Sequence, residues 1–162
     1  MKKSKFTNGI NQSDVVKILR PSPIYAFASV FPMLVIAGVS LYFAVTISKL
    51  IVFVSLISIF VAAYRYLYIN LIRYTITKQT ITARTGIIAR KFDNLELFRV
   101  KDYIVSQSVF ERIFGLMTIN LHTTDLSNPS LRMAGVPLSN ITEIIRDLVQ
   151  EARLNNRIFE IN

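Results

Sequence analysis

Residues 24–47 read IYAFASVFPMLVIAGVSLYFAVTI, a run from Ile24 to Ile47 without a single charge. A helix needs about 20 apolar residues to cross a bilayer, so this run is long enough. The next run, LIVFVSLISIFVAAYRYLYINLI from Leu50 to Ile72, is broken by one charge, Arg65, and one amide, Asn70. Between the two lies only Ser48-Lys49, which leaves room for a tight turn and for no domain. The pattern predicts an antiparallel transmembrane helical hairpin over residues 24–72. Two core helices of a soluble domain would be the other reading, but such cores rarely take so long an uncharged run.

A packing seam is visible in the hairpin. Ala37, Ser40 and Ala44 recur at i, i+3, i+7 on the first helix, and Ser55, Ser58 and Ala62 do the same on the second. Folding at Ser48-Lys49 would set Ala44 near Ser55, Ser40 near Ser58 and Ala37 near Ala62. Small residues allow close approach in lipid, where no hydrophobic effect drives helices together. Pro32 is expected to kink the first helix or to mark an irregular start.

The flanks set an orientation. Lys2, Lys3, Lys5, Lys17 and Arg20 precede the first span, Arg73, Lys78 and Arg84 follow the second, and the turn holds only Lys49. Positive residues stay inside, so both termini are expected in the cytoplasm. Tyr25, Tyr64, Tyr66 and Tyr68 gather at the same end, as an interfacial aromatic belt does. Arg20, Arg65 and Arg73 are expected at the interface, with Arg65 close enough to snorkel.

The net charge of +9 suggests nucleic acid until it is divided along the chain. Residues 1–23 hold five positives and one negative, and residues 24–73 hold three positives and no negative. The remainder holds eleven positives and nine negatives, so the surplus sits beside the membrane, where it attracts anionic headgroups. No nucleic-acid partner is expected. The absence of cysteine excludes a disulfide framework and a thiolate metal site.

Residues 1–23 read as a cytoplasmic tail, with Asp14 capping a short amphipathic helix through Val15, Val16, Ile18 and Leu19. After Ile72 the period changes to two. Strands are expected over residues 74–77, 80–84, 87–92, 102–107, 117–122 and 131–136. Val109 to Phe114 reads as a helical elbow with Phe110, Ile113 and Phe114 inward and Glu111 and Arg112 outward. From Asn140 a helix presents Ile141, Ile144, Ile145, Leu148 and Val149 as one stripe. That stripe and the elbow are expected to share a core. From Asn155 the chain is expected to fray, leaving Ile158, Phe159 and Ile161 free for a neighbour.

Specific segments then acquire meaning together. Arg73-Tyr-Thr-Ile-Thr77, Gly86-Ile-Ile88, Leu95 through Asp102, Gln107-Ser108, Arg112-Ile-Phe-Gly115, Thr123-Thr-Asp125, Pro129, Leu131 and Gly135-Val136 occur in that order. In order and spacing they resemble membrane-anchored bacterial pleckstrin-homology-like (PH-like) proteins over roughly residues 17–153. The resemblance implies an α+β membrane protein. A two-helix transmembrane hairpin would be followed by a partly open antiparallel β-barrel over residues 73–154 with a C-terminal helix, and by a tail over 155–162. It brings no catalytic mechanism, places the chain in the bacterial cytoplasmic (inner) membrane, and points to homo-oligomers.

Catalytic signatures are lacking. His122 is the only histidine and falls on a polar strand face, and Asp93, Glu96, Asp102 and Asp125 lack metal-site spacing. No phosphate loop or nucleophile motif appears, so neither enzyme activity nor a cofactor is expected. Lys78, Arg84, Arg90 and Lys91 are the lipid-headgroup candidates, because the short link from Ile72 to Tyr74 holds their strands near the bilayer. The expected partners are membrane lipids and further copies of the chain, with another membrane protein as a further candidate. Two function classes follow: a scaffold that assembles through strand edges, and an anionic-lipid binding or membrane-stress sensing module.

Overall fold

Pro23 opens the first long helix, where a missing N–H leaves nothing unsatisfied. In the computed structural model, which describes residues 14–125 and 129–160 (side chains as far as Asn155), Ser22 caps helix α1 (Pro23–Thr46). Its hydroxyl accepts from the Ile24 N–H at 3.3 Å. Pro32 sits inside α1 without ending it. Ser48 then caps a single 3-10 turn, Lys49–Ile51, which leads into α2 (Val52–Leu71).

Ala37, Ser40, Ala44, Ser55 and Ala62 are buried where the two helices meet, and Ser58 is half-buried. The hydroxyls of Ser40 and Ser55 both donate to the Ala37 carbonyl, at 3.0 and 3.1 Å. Ser55 thus lies against Ala37 and not against Ala44. The register differs from the expected one because the connection contains a cap and a 3-10 turn in place of a two-residue turn. Elsewhere the helices expose Phe27, Phe31, Phe53, Phe60 and other large apolar side chains. Both are long and apolar enough to cross a membrane, and only 22% and 11% of their most apolar windows are buried.

A strand precedes the hairpin. Val15–Leu19, expected as an amphipathic helix, forms β1 and pairs antiparallel with β2 (Arg73–Thr77), setting Leu19 opposite Tyr74. Five residues are too few for a stable lone helix, and β-branched Val15, Val16 and Ile18 favour an available strand edge. The helix pair is therefore inserted between two neighbouring strands of one sheet. Residues 1–13 of the expected tail lie outside the described residues.

The first sheet has the order β1-β2-β3-β4, with β3 at Thr80–Thr85 and β4 at Lys91–Glu96. Residues 87–90, expected to begin a strand, instead form a loop. Gly86 has φ +102°, and a Cβ there would lie 1.9 Å from the Ala89 carbonyl oxygen, so the chain doubles back before β4 can pair. The second sheet, β5-β6-β7, comprises Val100–Ser106, Leu116–Thr123 and Ser130–Pro137. The sheets are both antiparallel and do not close into a barrel.

Between the sheets lies a core including Ile76, Ile81, Leu97, Met117, Ile119, Leu121, Met133 and Val136. Helix α4 (Ile141–Glu160) adds Ile141, Ile145, Leu148, Val149 and Ala152 to it. Its Arg153 donates to the Val100 carbonyl at 2.5 Å, which anchors the far end of the helix. The backbone stays helical through Glu160, so the expected fraying from Asn155 does not occur there. The expectation for Ile158, Phe159 and Ile161 falls outside the described side chains.

Candidate functional site

The chain enters and leaves the helix pair through adjacent strands, and β7 of the second sheet meets them there. The Ser22 N–H donates to the Gly135 carbonyl at 2.8 Å. Gly135 has φ +64°, and a Cβ there would lie 2.1 Å from Cγ of Tyr25. The first turn of α1 can rest on β7 only because residue 135 has no side chain. Tyr74, the first buried residue after α2, donates its hydroxyl to the Arg132 carbonyl at 3.2 Å. Burial pushes its phenol up to about 12, so it acts as a fixed donor. Together these contacts clamp the sheets to the helices.

The basic candidates divide. Arg84 lies opposite Arg73 in the β2–β3 register, and Lys91 lies opposite Thr85, so Arg84, Arg90 and Lys91 share the helix-proximal rim with Arg73. Arg20 follows Leu19, which faces Tyr74 at the same rim. Lys78 sits in the β2–β3 turn at the other end of the sheet, about 17 Å away at 3.3 Å per residue. It does not join the others. Arg65 is exposed on α2, roughly 9 Å before Leu71.

Two of the rim bases are engaged on the sheet surface itself. The Lys91 ammonium pairs with Asp93 at 2.9 Å, and the Arg84 guanidinium lies 5.8 Å from the centre of the Phe92 ring. The cleft beside them, lined by Lys91, Asp93, Asn94, Leu95, Ser130 and Leu131, holds ≈ 110 Å³. Small-molecule sites usually exceed about 300 Å³. The arrangement suits a flat, polyanionic surface better than a single enclosed headgroup.

The elbow reverses its expected orientation. Helix α3 (Val109–Ile113) is opened by a capping box: Glu111 N–H donates to Ser108 Oγ at 3.2 Å, and Ser108 N–H donates to Glu111 Oε2 at 2.8 Å. Glu111 is buried and also accepts from the Thr118 hydroxyl at 2.5 Å and from the Gly135 N–H. Burial pushes its carboxyl up, but these hydrogen bonds outweigh it and hold the group below its ordinary range. Two residues in either direction along a helix is roughly 200°, so Val109 and Ile113 point away from the core. They are 79% and 73% exposed, Phe114 is 46% exposed, and Leu138 beside Gly115 is 61% exposed. The elbow and α4 therefore do not share one core. The Ser108-x-x-Glu111 spacing was the available signal, and the apolar periodicity concealed it.

Other titratable candidates are engaged in structural contacts. Glu96 and Asp125 flank Arg99 at 2.8 and 3.6 Å, and Asp102 accepts from the Tyr103 N–H at 2.7 Å. His122 is exposed on β6, with Asp102 and Ser130 as its cross-strand neighbours. Among the described residues no group of three or more His, Cys, Asp or Glu side chains could hold a metal ion.

A family model for the bacterial PH domain matches residues 26–153, from the first turn of α1 to the buried part of α4. No curated protein and no solved structure matches the chain.

Proposed function

Since this chain belongs to the bacterial PH domain family, we propose that it is a non-enzymatic integral membrane scaffold, holding its PH-like domain against the cytoplasmic face of the bacterial inner membrane and assembling with copies of itself. The apolar ridge of Val109, Ile113, Phe114 and Leu138 carries this reading. A capping box buries a carboxylate beneath it and turns large apolar side chains to the surface. Exposed apolar clusters rimmed by polar residues mark association surfaces. Among the described residues, β4 and β5 have strand edges without a neighbouring strand, which add sites for strand pairing.

Anchoring is supported by the helices themselves. A core helix of a soluble protein is mostly buried, whereas these two bury little beyond their mutual seam. With residues 24–72 in the bilayer, Arg20, Arg73, Arg84, Arg90 and Lys91 lie at the headgroups. That basic rim favours a second reading, anionic-lipid binding, worth about 1 kcal/mol per basic side chain near the surface.

Native mass spectrometry of the full chain from mild detergent and nanodiscs separates the two. An assembly built on the ridge is expected to persist at high salt, and Ile113→Asp should return it to monomer. Ile113 is largely exposed, so this change leaves the core untouched. A parent protein that is monomeric in every mild detergent and nanodisc would remove the scaffold reading and leave lipid binding ahead.

A further inference from the structure

The loop from Gly86 to Arg90 is built in a way that tethering alone does not require. Ile88 at its tip is 92% exposed, the highest value among the exposed large hydrophobic residues described. The loop is shaped: Gly86 takes φ +102° and the chain folds so tightly that any Cβ there would strike the Ala89 carbonyl. Thr85 and Lys91 pair across its base as the last rung of the β3–β4 ladder. A tight turn of this kind usually displays polar residues, yet here it displays Ile88.

Strand register fixes where the tip goes. Arg84 faces Arg73, and Arg73 stands two residues after the end of α2 at Leu71. Strand β3 runs towards the helices, so the residues after Arg84 continue past the sheet in that direction. The loop doubles back at Gly86, so Ile88 lies beyond Arg84 but short of the roughly 13 Å that four extended residues would span. That places the tip beyond the sheet on the side from which α2 leaves. Arg84, Arg90 and Lys91 flank the tip at its base.

We propose that this loop is a lipid wedge. Ile88 inserts at the boundary between headgroups and acyl chains, while Arg84, Arg90 and Lys91 lie among the lipid phosphates. A lone apolar tip above a basic collar is matched to a lipid interface, which offers hydrocarbon and anionic oxygen within a few ångström of depth. The wedge holds the domain and its helix pair at one tilt in the bilayer and makes that seating responsive to anionic lipid. The proposal rests on the membrane-anchored reading above, and its test separates the two.

The chain has no cysteine, so single-cysteine variants label at one site. Ile88→Cys, Phe60→Cys on the outer face of α2 and Lys78→Cys at the distal turn would each bear an environment-sensitive fluorophore. All three positions are exposed, so each tolerates the change. The full chain would be reconstituted into phosphatidylcholine–phosphatidylglycerol vesicles containing nitroxide-labelled lipids. The label at residue 88 is expected to shift to the blue and to lose emission to a nitroxide near the headgroup. The label at residue 60 should lose emission to a deep nitroxide, and the label at 78 to neither. A water-like, unquenched label at 88 beside a quenched one at 60 would overturn the wedge and leave anchoring intact. A blue-shifted but unquenched label at 88 would mean that protein covers the loop, which also overturns it. An unquenched label at 60 would defeat anchoring, and the wedge with it.

Discussion

Ile145→Asp is expected to cost several kcal/mol, enough to unfold much of the two-sheet domain. Ile145 is 1% exposed on the inner stripe of α4, among Ile141, Leu148 and Val149. A carboxylate placed there has neither water nor an engineered partner. Domains of this size hold only about 5–15 kcal/mol in total, so the loss is a large fraction. Ile145→Val, which removes one methylene, should cost about 1 kcal/mol. Hydrogen exchange on the full-length protein in nanodiscs would read both. The Asp variant should lose protection across both sheets, and the Val variant should stay close to the parent. An Asp variant with parental protection would show that α4 is not part of the core. The full chain is the proper object, because a fragment starting at residue 74 would lack β1.

The second large effect is expected at Gly135. Gly135→Ala puts a methyl into the Tyr25 ring and asks an L-residue to hold φ +64°. The left-handed backbone costs about 1–2 kcal/mol, and overpacking adds about 1–3. Gly115 provides the control: its φ is +61°, but a Cβ there meets nothing within 4 Å. Gly115→Ala should therefore show the backbone cost alone. The excess for Gly135→Ala measures the contact between α1 and β7, and it should appear in thermal melts together with faster proteolysis near Arg20. Equal losses for the two variants would mean that the sheets do not rest on the helix.

Most of the architecture was legible because it is periodic. The hairpin announces itself by uncharged length, and β6 and α4 announce themselves by period-two and period-3.6 alternation of apolar and polar residues in the sequence. What escaped was set by partners distant in sequence. Val15–Leu19 becomes a strand because β2 presents an open edge across the whole hairpin, and no local window contains that edge. Glu111 turns inward because Thr118 and Gly135 offer donors there, which the apolar count at residues 110–114 could not register. Lys78 separated from Arg84, Arg90 and Lys91 because a hairpin turn reverses the chain, placing charges close in sequence at opposite ends of a sheet.

The insertion of the helix pair between β1 and β2 changes what the domain can do. The β1–β2 connection is here the helix pair itself. Because both ends of the helix pair continue into paired strands, tilting of the helices is transmitted to the sheet without a long linker. The orientation of the ridge and of the basic rim is then tied to that of the hairpin. A scaffold subunit needs that property, since assembly requires copies to present matching surfaces at one height above the membrane.

The proposed function depends on the hairpin crossing the bilayer with its turn outside and its strands in the cytoplasm. Single cysteines at Lys49 in the turn and at Lys78 in the β2–β3 turn test this directly, in intact cells treated with a membrane-impermeant maleimide. The expected result is labelling at residue 49 in intact cells, and labelling at residue 78 only after the membrane is permeabilised. Labelling at 78 in intact cells with 49 protected, or equal labelling at both, would contradict the account.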